Sequence, residues 1–175
     1  MDLQKRWAVR KQSKVEGRGS KATASGAQPS TLNPQPITEV SAALIFRGGK
    51  LLITQRPAKA HLGGLWEFPG GKREPDETFE QCLVREIREE LGVEISVGKL
   101  FESVTHAYPE KTVHLKFFVC CLLGGEPQSL GCKAVKWAGK SELADHEFPA
   151  ADARLLQKLL NCPELWGKFA TQSGS

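Results

Sequence analysis

The sequence has no apolar run of the about 20 residues needed to cross a bilayer, and no apolar core of a secretory leader. No membrane contact is therefore expected, and a cytoplasmic location is. It also lacks paired metal-type cysteines. Cys82, Cys120, Cys121, Cys132 and Cys162 are odd in number and contain no C-x-x-C, so reduced thiols are expected rather than a zinc site or disulfide framework. A basic face is missing as well. Up to Pro36 there are seven basic residues against Asp2 and Glu16, while the remainder carries 17 basic and 18 acidic residues. The net charge of +4 therefore belongs to the first segment, and no stable nucleic-acid partner is expected for the rest.

Residues 1–36 are rich in Ser, Gly, Gln, Pro and Lys and poor in large apolar groups. Such a composition buries too little surface to offset chain entropy, so a disordered basic tail is expected. A solvated extension is favoured over an organelle transit peptide, because Asp2 and Glu16 interrupt the basic run. A single domain over 37–163 and a short tail over 164–175 complete the expected organisation, with a monomer as the working assembly.

From Ile37 the pattern changes. VSAALIFRGGKLLITQRP reads as two strands around a Gly48-Gly49 turn, and Leu65–Phe68 as a short strand after a glycine-bearing loop. EISVGKLFESVTHAY and KTVHLKFFVCCLL are strand-like, with alternation in Val113, Leu115, Phe117 and Val119. KAVKWAGK adds another strand, and AADARLLQKLL has the apolar spacing of a closing helix. Strands with helices segregated around them predict an α+β fold.

The stretch with the most chemistry runs from Gly70 to Val93. Thr78 and Gln81 form a capping-box signature, Gly92 is placed to end a helix, and Leu83, Ile87 and Leu91 make a buried stripe. Glu86, Glu89 and Glu90 crowd one face beside Arg85. Like charges at that spacing oppose each other, and an all-oxygen cluster suits a hard cation such as Mg²⁺ or Mn²⁺. Pro69, Gly70 and Gly71 form a tight loop just upstream, where backbone can approach a ligand closely. Together these features suit metal-assisted chemistry on a phosphate.

Gly71, Glu77, Arg85, Glu86, Ile87, Glu89, Glu90, Gly92 and Val93 match the Nudix signature at every fixed position. The resemblance implies a Nudix fold, a mixed β-sheet sandwiched between α-helices. It also implies a metal set of Gly71, Glu86, Glu89 and Glu90, with Glu77 as an added ligand or base and Arg85 orienting the carboxylates. QRPAKAHLGGLWEFPGGK further resembles the MutT-type branch, nucleoside triphosphate pyrophosphohydrolases that clear damaged nucleotides. That likeness assigns Arg56, His61 and Phe68 to the nucleotide site, and Lys72 with the backbone of Gly70 and Gly71 to phosphate. FPAAD, from Phe148 to Asp152, resembles the branch's base-reading segment.

Two positions depart from the branch. The base-reading Asn is replaced by Asp152, and an ionised carboxylate only accepts hydrogen bonds. It therefore favours an N–H-rich edge, which guanine, 8-oxoguanine and the exocyclic amine of cytosine all offer. A loop glutamate six residues before Trp137 is replaced by Gly131, with Glu126 the nearest upstream acid. The expected activity is Mg²⁺-dependent hydrolysis of 8-oxo-dGTP or another modified nucleoside triphosphate to the monophosphate and pyrophosphate, in nucleotide-pool sanitation. The alternatives are a CTP or 5-methyl-dCTP pyrophosphohydrolase, a non-catalytic 8-oxoguanine-binding module, or hydrolysis of another pyrophosphate such as a sugar nucleotide or dinucleotide.

Overall fold

A computed structural model describes residues 36–169. The tail expected over 1–36 lies almost wholly outside the described residues. The strands are β1 (Ile37–Arg47), β2 (Lys50–Gln55), β3 (Trp66–Glu67), β4 (Gly70–Lys72), β5 (Glu94–Ala107), β6 (Thr112–Gly124) and β7 (Ala134–Gly139). The helices are α1 (Phe79–Leu91), α2 (Ala153–Leu160) and α3 (Pro163–Lys168), with short 3₁₀ turns at Glu142–Asp145 and Ala150–Asp152.

β1 is the centre of the mixed sheet. It runs parallel to β6 from the Ile37–Thr112 pair to Ile45–Cys120, and β5 adds antiparallel at the edge. At its far end β1 turns through Gly48 and Gly49, both at positive φ, into antiparallel β2, which carries β3 and β7. Nearer its start β1 pairs instead with β4, so the sheet splits around the Phe68-Pro69 loop. That split opens the molecule where the glycines lie.

Alternation along β1 assigns the layers. Ala43 and Ile45 pack under α1 with Leu83, Ile87 and Leu91, together with Leu52, Phe118 and Cys120. On the opposite face Ala42 looks into a cleft, and Phe46 is covered by the C-terminal end of the chain. α2 buries Leu155, Leu156 and Leu159. The fold is thus the expected α+β arrangement of a mixed sheet and flanking helices.

α1 begins and ends as its sequence implies. Thr78 Oγ1 accepts from the Gln81 N–H at 3.2 Å, the Gln81 side chain accepts from the Thr78 N–H at 2.8 Å, and Gly92 closes the helix at φ 68°. The C-terminus differs from expectation. Instead of a tail from 164, α3 carries Trp166 against Phe46, edge-on with centroids 5.3 Å apart, and Phe169 stacks on the same ring at 5.2 Å. The Gly49 N–H donates to the Phe169 carbonyl, so the β1–β2 turn rests on this segment. All five cysteines are free thiols. Among the described residues no helix is long and apolar enough to cross a membrane.

Candidate active site

A cleft of about 360 Å³ has its floor on the face of β1 and β6 away from α1, and one end reaches round to Glu67 and to Glu90 of α1. Its floor is apolar, from Val40, Ala42, Val113, Leu115 and Phe117. Of the residues picked out in the sequence, Arg56, His61, Phe68, Gly70, Gly71, Lys72, Glu90 and Asp152 line it. Arg85, Glu86 and Glu89 on α1, with Glu77 just before its cap, flank the acidic end, and Phe148 stands behind Phe68 rather than on the wall.

The acidic end is built by the β4 glycines and α1. Gly70 has φ 149°, and a Cβ there would strike the Ser41–Ala42 backbone; a Cβ on Gly71 would fall inside the Glu86 carboxylate. The absent side chain at Gly71 is therefore the space that Glu86 fills. Arg85 is the local hub. It donates from Nη2 to Glu77 Oε1 at 2.6 Å, from Nε to Glu77 Oε2 at 3.1 Å, and from Nη1 to Glu86 at 2.9 Å and Glu89 at 3.4 Å. It also reaches the Lys72 carbonyl at 3.2 Å. These bonds, with the Glu74 backbone N–H, hold the Glu77 carboxyl down at about 2, and they raise the Arg85 pKa.

Glu90 has no such arginine clasp. Burial, then the carboxylates of Glu67 and Glu86, push its pKa up to about 7, with Arg56 opposing. Crowded negative charge facing a cleft is the electrostatic condition that a divalent cation relieves. Among the described residues, however, no three carboxylate, imidazole or thiol groups already stand together as a cation cage. The reason is visible: Arg85 holds the Glu86 and Glu89 oxygens. Glu86, Glu89 and Glu90 with the Gly71 carbonyl make a donor set of the right chemistry, which fits such an ion once Glu86 and Glu89 turn away from Arg85.

The other end is aromatic. Phe68 is buried, meets Phe117 edge-on at 5.9 Å and stacks on Phe148 at 5.4 Å. Beside them Asp152, only 4% exposed, ends the 3₁₀ turn that leads into α2. Burial, and next the charge of Glu67, push the Asp152 carboxyl up to about 7. From sequence alone Asp152 is expected to be an ionised group that only accepts. With a pKa near neutrality it is both a carboxylate and a carboxylic acid, and the acid form also donates.

Contacts fix three further positions. Arg56 is engaged by its neighbours, its Nε donating to the His61 carbonyl at 2.7 Å and its Nη1 ion-paired with Glu67. His61 lies over the cleft mouth, with Nε2 3.6 Å from Glu110 and its ring edge-on to Tyr108 at 6.1 Å. Glu126, the acid nearest upstream of Gly131, is paired with Arg47 and does not line the cleft. Gly131 itself lies against Glu90, where a Cβ would come within 3.0 Å of the Glu90 side chain.

Sequence reasoning missed Glu67, Tyr108, Lys111, Thr38 and Cys132, all on the cleft wall. Glu67 is the most consequential, since its charge acts on both Glu90 and Asp152. Its only sequence signal was its place beside Phe68. Tyr108 comes from the β5–β6 turn, with its hydroxyl against the Ala151 backbone and near Asp152.

Comparison with known proteins agrees with this geometry. A NUDIX domain family profile matches residues 41–158. The chain is 41% identical over 122 residues to the CTP pyrophosphohydrolase of Escherichia coli K12, covering 70% of this chain and 90% of that one. It is 36% identical over 110 residues to the 8-oxo-dGTP diphosphatase of the same organism, covering 63% and 85%. Among solved structures, the E. coli ORF135 protein superposes with a TM-score of 0.64 at 38% identity, covering 75% of this chain and 94% of that one. Acidic helix, glycine loop, cleft and family profile coincide, and the chain belongs to the Nudix family.

Proposed function

We propose that this protein hydrolyses a modified nucleoside triphosphate to the nucleoside monophosphate and pyrophosphate, with 8-oxo-dGTP as its first substrate. The observation that carries this reading is one cleft with two unlike ends, carboxylates crowded around Gly71 at one and Asp152 buried beside aromatic rings at the other. A base occupies the aromatic end, with Phe68, backed by Phe117 and Phe148, as an apolar wall. The ionised Asp152 carboxylate accepts from the N1–H and N2–H₂ of the guanine edge. Lys72 and the backbone at Gly70 and Gly71 hold phosphate oxygens, and the ion-paired Arg56 keeps Glu67 and the 56–64 loop in place.

A Mg²⁺ or Mn²⁺ ion held by Glu86, Glu89, Glu90 and the Gly71 carbonyl would neutralise phosphate charge and lower the pKa of an attacking water. Glu77 and Glu126 are tied to arginines, and Gly131 carries no carboxylate. The proton of the attacking water passes to an oxygen of Glu90, which no arginine clasps, or of Glu89, whose Arg85 contact is the longer one at 3.4 Å. Arg85 keeps Glu77 beside α1 and releases Glu86 and Glu89 toward the ion, and it takes no proton itself.

A second reading is favoured by the relative named CTP pyrophosphohydrolase and by Asp152 in its protonated form. That form would accept from the cytosine amine and donate to the ring nitrogen beside it. Pyrophosphate release with Mg²⁺ across 8-oxo-dGTP, dGTP, CTP, dCTP and 5-methyl-dCTP tests both. Preference for 8-oxo-dGTP supports the first reading and preference for cytosine nucleotides the second. No release from any of them overturns hydrolysis and leaves a binding module.

A further inference from the structure

Ser41 and Thr54 are wholly buried, and neither hydroxyl has a hydrogen-bond partner. Among the described residues no other fully enclosed side-chain oxygen or nitrogen is left in that condition. A hydroxyl taken out of water without a partner costs stability that Ala or Val at the same place would spare. Two such positions under one site call for a reason.

The strand register says where they are. Thr54 stands directly opposite Glu67 of β3 on one side and Val135 of β7 on the other. Opposed residues of antiparallel strands project to the same face, and so do residues two apart along one strand. Thr54 therefore shares its face with Glu67, with Arg56 that is ion-paired to it, and with Leu52 that packs beneath α1. The far end of α1 carries Glu90, which lines the same cleft as Glu67. Ser41 is placed in the same way. It stands opposite Gly71 and shares the α1 face with Ala43 and Ile45. Gly71 is where the Glu86 carboxylate lies. Each unpartnered hydroxyl is thus one strand away from a carboxylate of the acidic cluster.

We propose that Ser41 and Thr54 are positioning residues. Their hydroxyls donate from beneath, directly or through one internal water each, to Glu86 and to the Glu67–Glu90 pair, fixing the orientation those carboxylates take toward a divalent cation. The inference rests on the reading that Glu86 and Glu90 hold that cation. Groups behind a metal ligand decide which of its lone pairs face the ion, and their loss weakens metal binding about 10- to 100-fold. The two hydroxyls meet their acceptors as Glu86 turns from Arg85 toward the cation.

The test titrates Mn²⁺ into the full-length protein without nucleotide, following free Mn²⁺ by electron paramagnetic resonance. Thermal unfolding without metal is measured alongside. Thr54→Val keeps the side-chain shape and removes only the hydroxyl; Ser41→Ala does the same at the other site. Both are expected to weaken Mn²⁺ binding about tenfold while Tm stays level or rises, and Thr54→Ser restores binding. A hydroxyl with a merely structural role would give the reverse, a changed Tm and unchanged Mn²⁺ affinity. Wild-type affinity retained in both variants overturns the proposal. A wild-type protein that takes up no Mn²⁺ overturns the carboxylate–cation reading beneath it.

Discussion

Arg47 clasps Glu126 with both arms of its guanidinium, Nη1 and Nη2 each 2.8 Å from a carboxylate oxygen, and stacks over Trp137 at 4.3 Å. The acid nearest to the missing loop glutamate is thereby spent on the outside of the molecule. Glu126→Gln is expected to leave kcat and KM within about twofold of wild type, and to change stability by less than about 1 kcal/mol, as exposed ion pairs do. Steady-state pyrophosphate release and urea unfolding check this.

Glu90→Gln removes the carboxylate that crowds the cleft and leaves its shape. Turnover is expected to fall by at least about a hundredfold. Relief of like-charge crowding leaves Tm unchanged or higher. Glu89→Gln is expected to abolish turnover too, on a side chain already 59% exposed. Undiminished rates in both variants, measured with folding confirmed by circular dichroism, would sink the metal-site assignment.

The two β4 glycines separate chemistry from folding. Gly71→Ala is expected to displace the Glu86 carboxylate, a side chain that can move, and so to lose activity with a modest change in stability. Gly70→Ala collides with backbone of β1 and forces alanine to φ 149°, so loss of folded protein is expected. Unfolding curves beside activity assays distinguish the two outcomes.

On the proposed reading of Asp152 as the base-reading group, substrate affinity depends on pH. With a folded pKa near 7 and an ordinary value of 3.8, the folded state binds the extra proton between those limits. Its contribution to stability is complete below about pH 4 and is lost as pH rises through 7. The ionised form accepts from guanine, so KM for 8-oxo-dGTP is expected to fall as pH rises from 6 to 8. A cytosine substrate read by the acid form gives the opposite slope. Asp152→Asn flattens the profile in either case. A pH-independent KM in wild type would remove Asp152 from base reading.

The C-terminal segment is a structural support. Trp166, 7% exposed, covers Phe46 and donates from Nε1 to the Leu159 carbonyl at 2.9 Å. Trp166→Ala is expected to cost about 3–5 kcal/mol in denaturant unfolding. An effect below about 1 kcal/mol would show that the segment is not part of the cooperative unit.

Much of this was legible because the signals are local. Thr78, Gln81 and Gly92 fix the ends of α1 through bonds within one turn, and Leu83, Ile87 and Leu91 repeat at helical pitch. The carboxylates of α1 could be read together for the same reason. Glu67 could not, because its place depends on β3 lying against β2, opposite Thr54. Nor could the partner of Arg56, which the same pairing supplies. Trp166 lies in a six-residue helix containing Gly167, too short for any periodicity to declare itself. The pKa of Asp152 depends on enclosure by segments from both halves of the domain, which no run of neighbouring residues encodes.

The parallel pairing of β1 with β6 also bears on how the protein is made. β1 leaves the ribosome early, yet its partner over Thr112–Gly124 follows only after α1 and the whole of β5. Such long-range closure is slow, since the intervening chain must be ordered before the contact is gained. During synthesis α1 with its acidic face can form well before the apolar floor it will serve. A nascent chain halted short of β6 would carry the signature without a substrate cleft, exposing Leu44 and Ile45 to chaperones in the meantime.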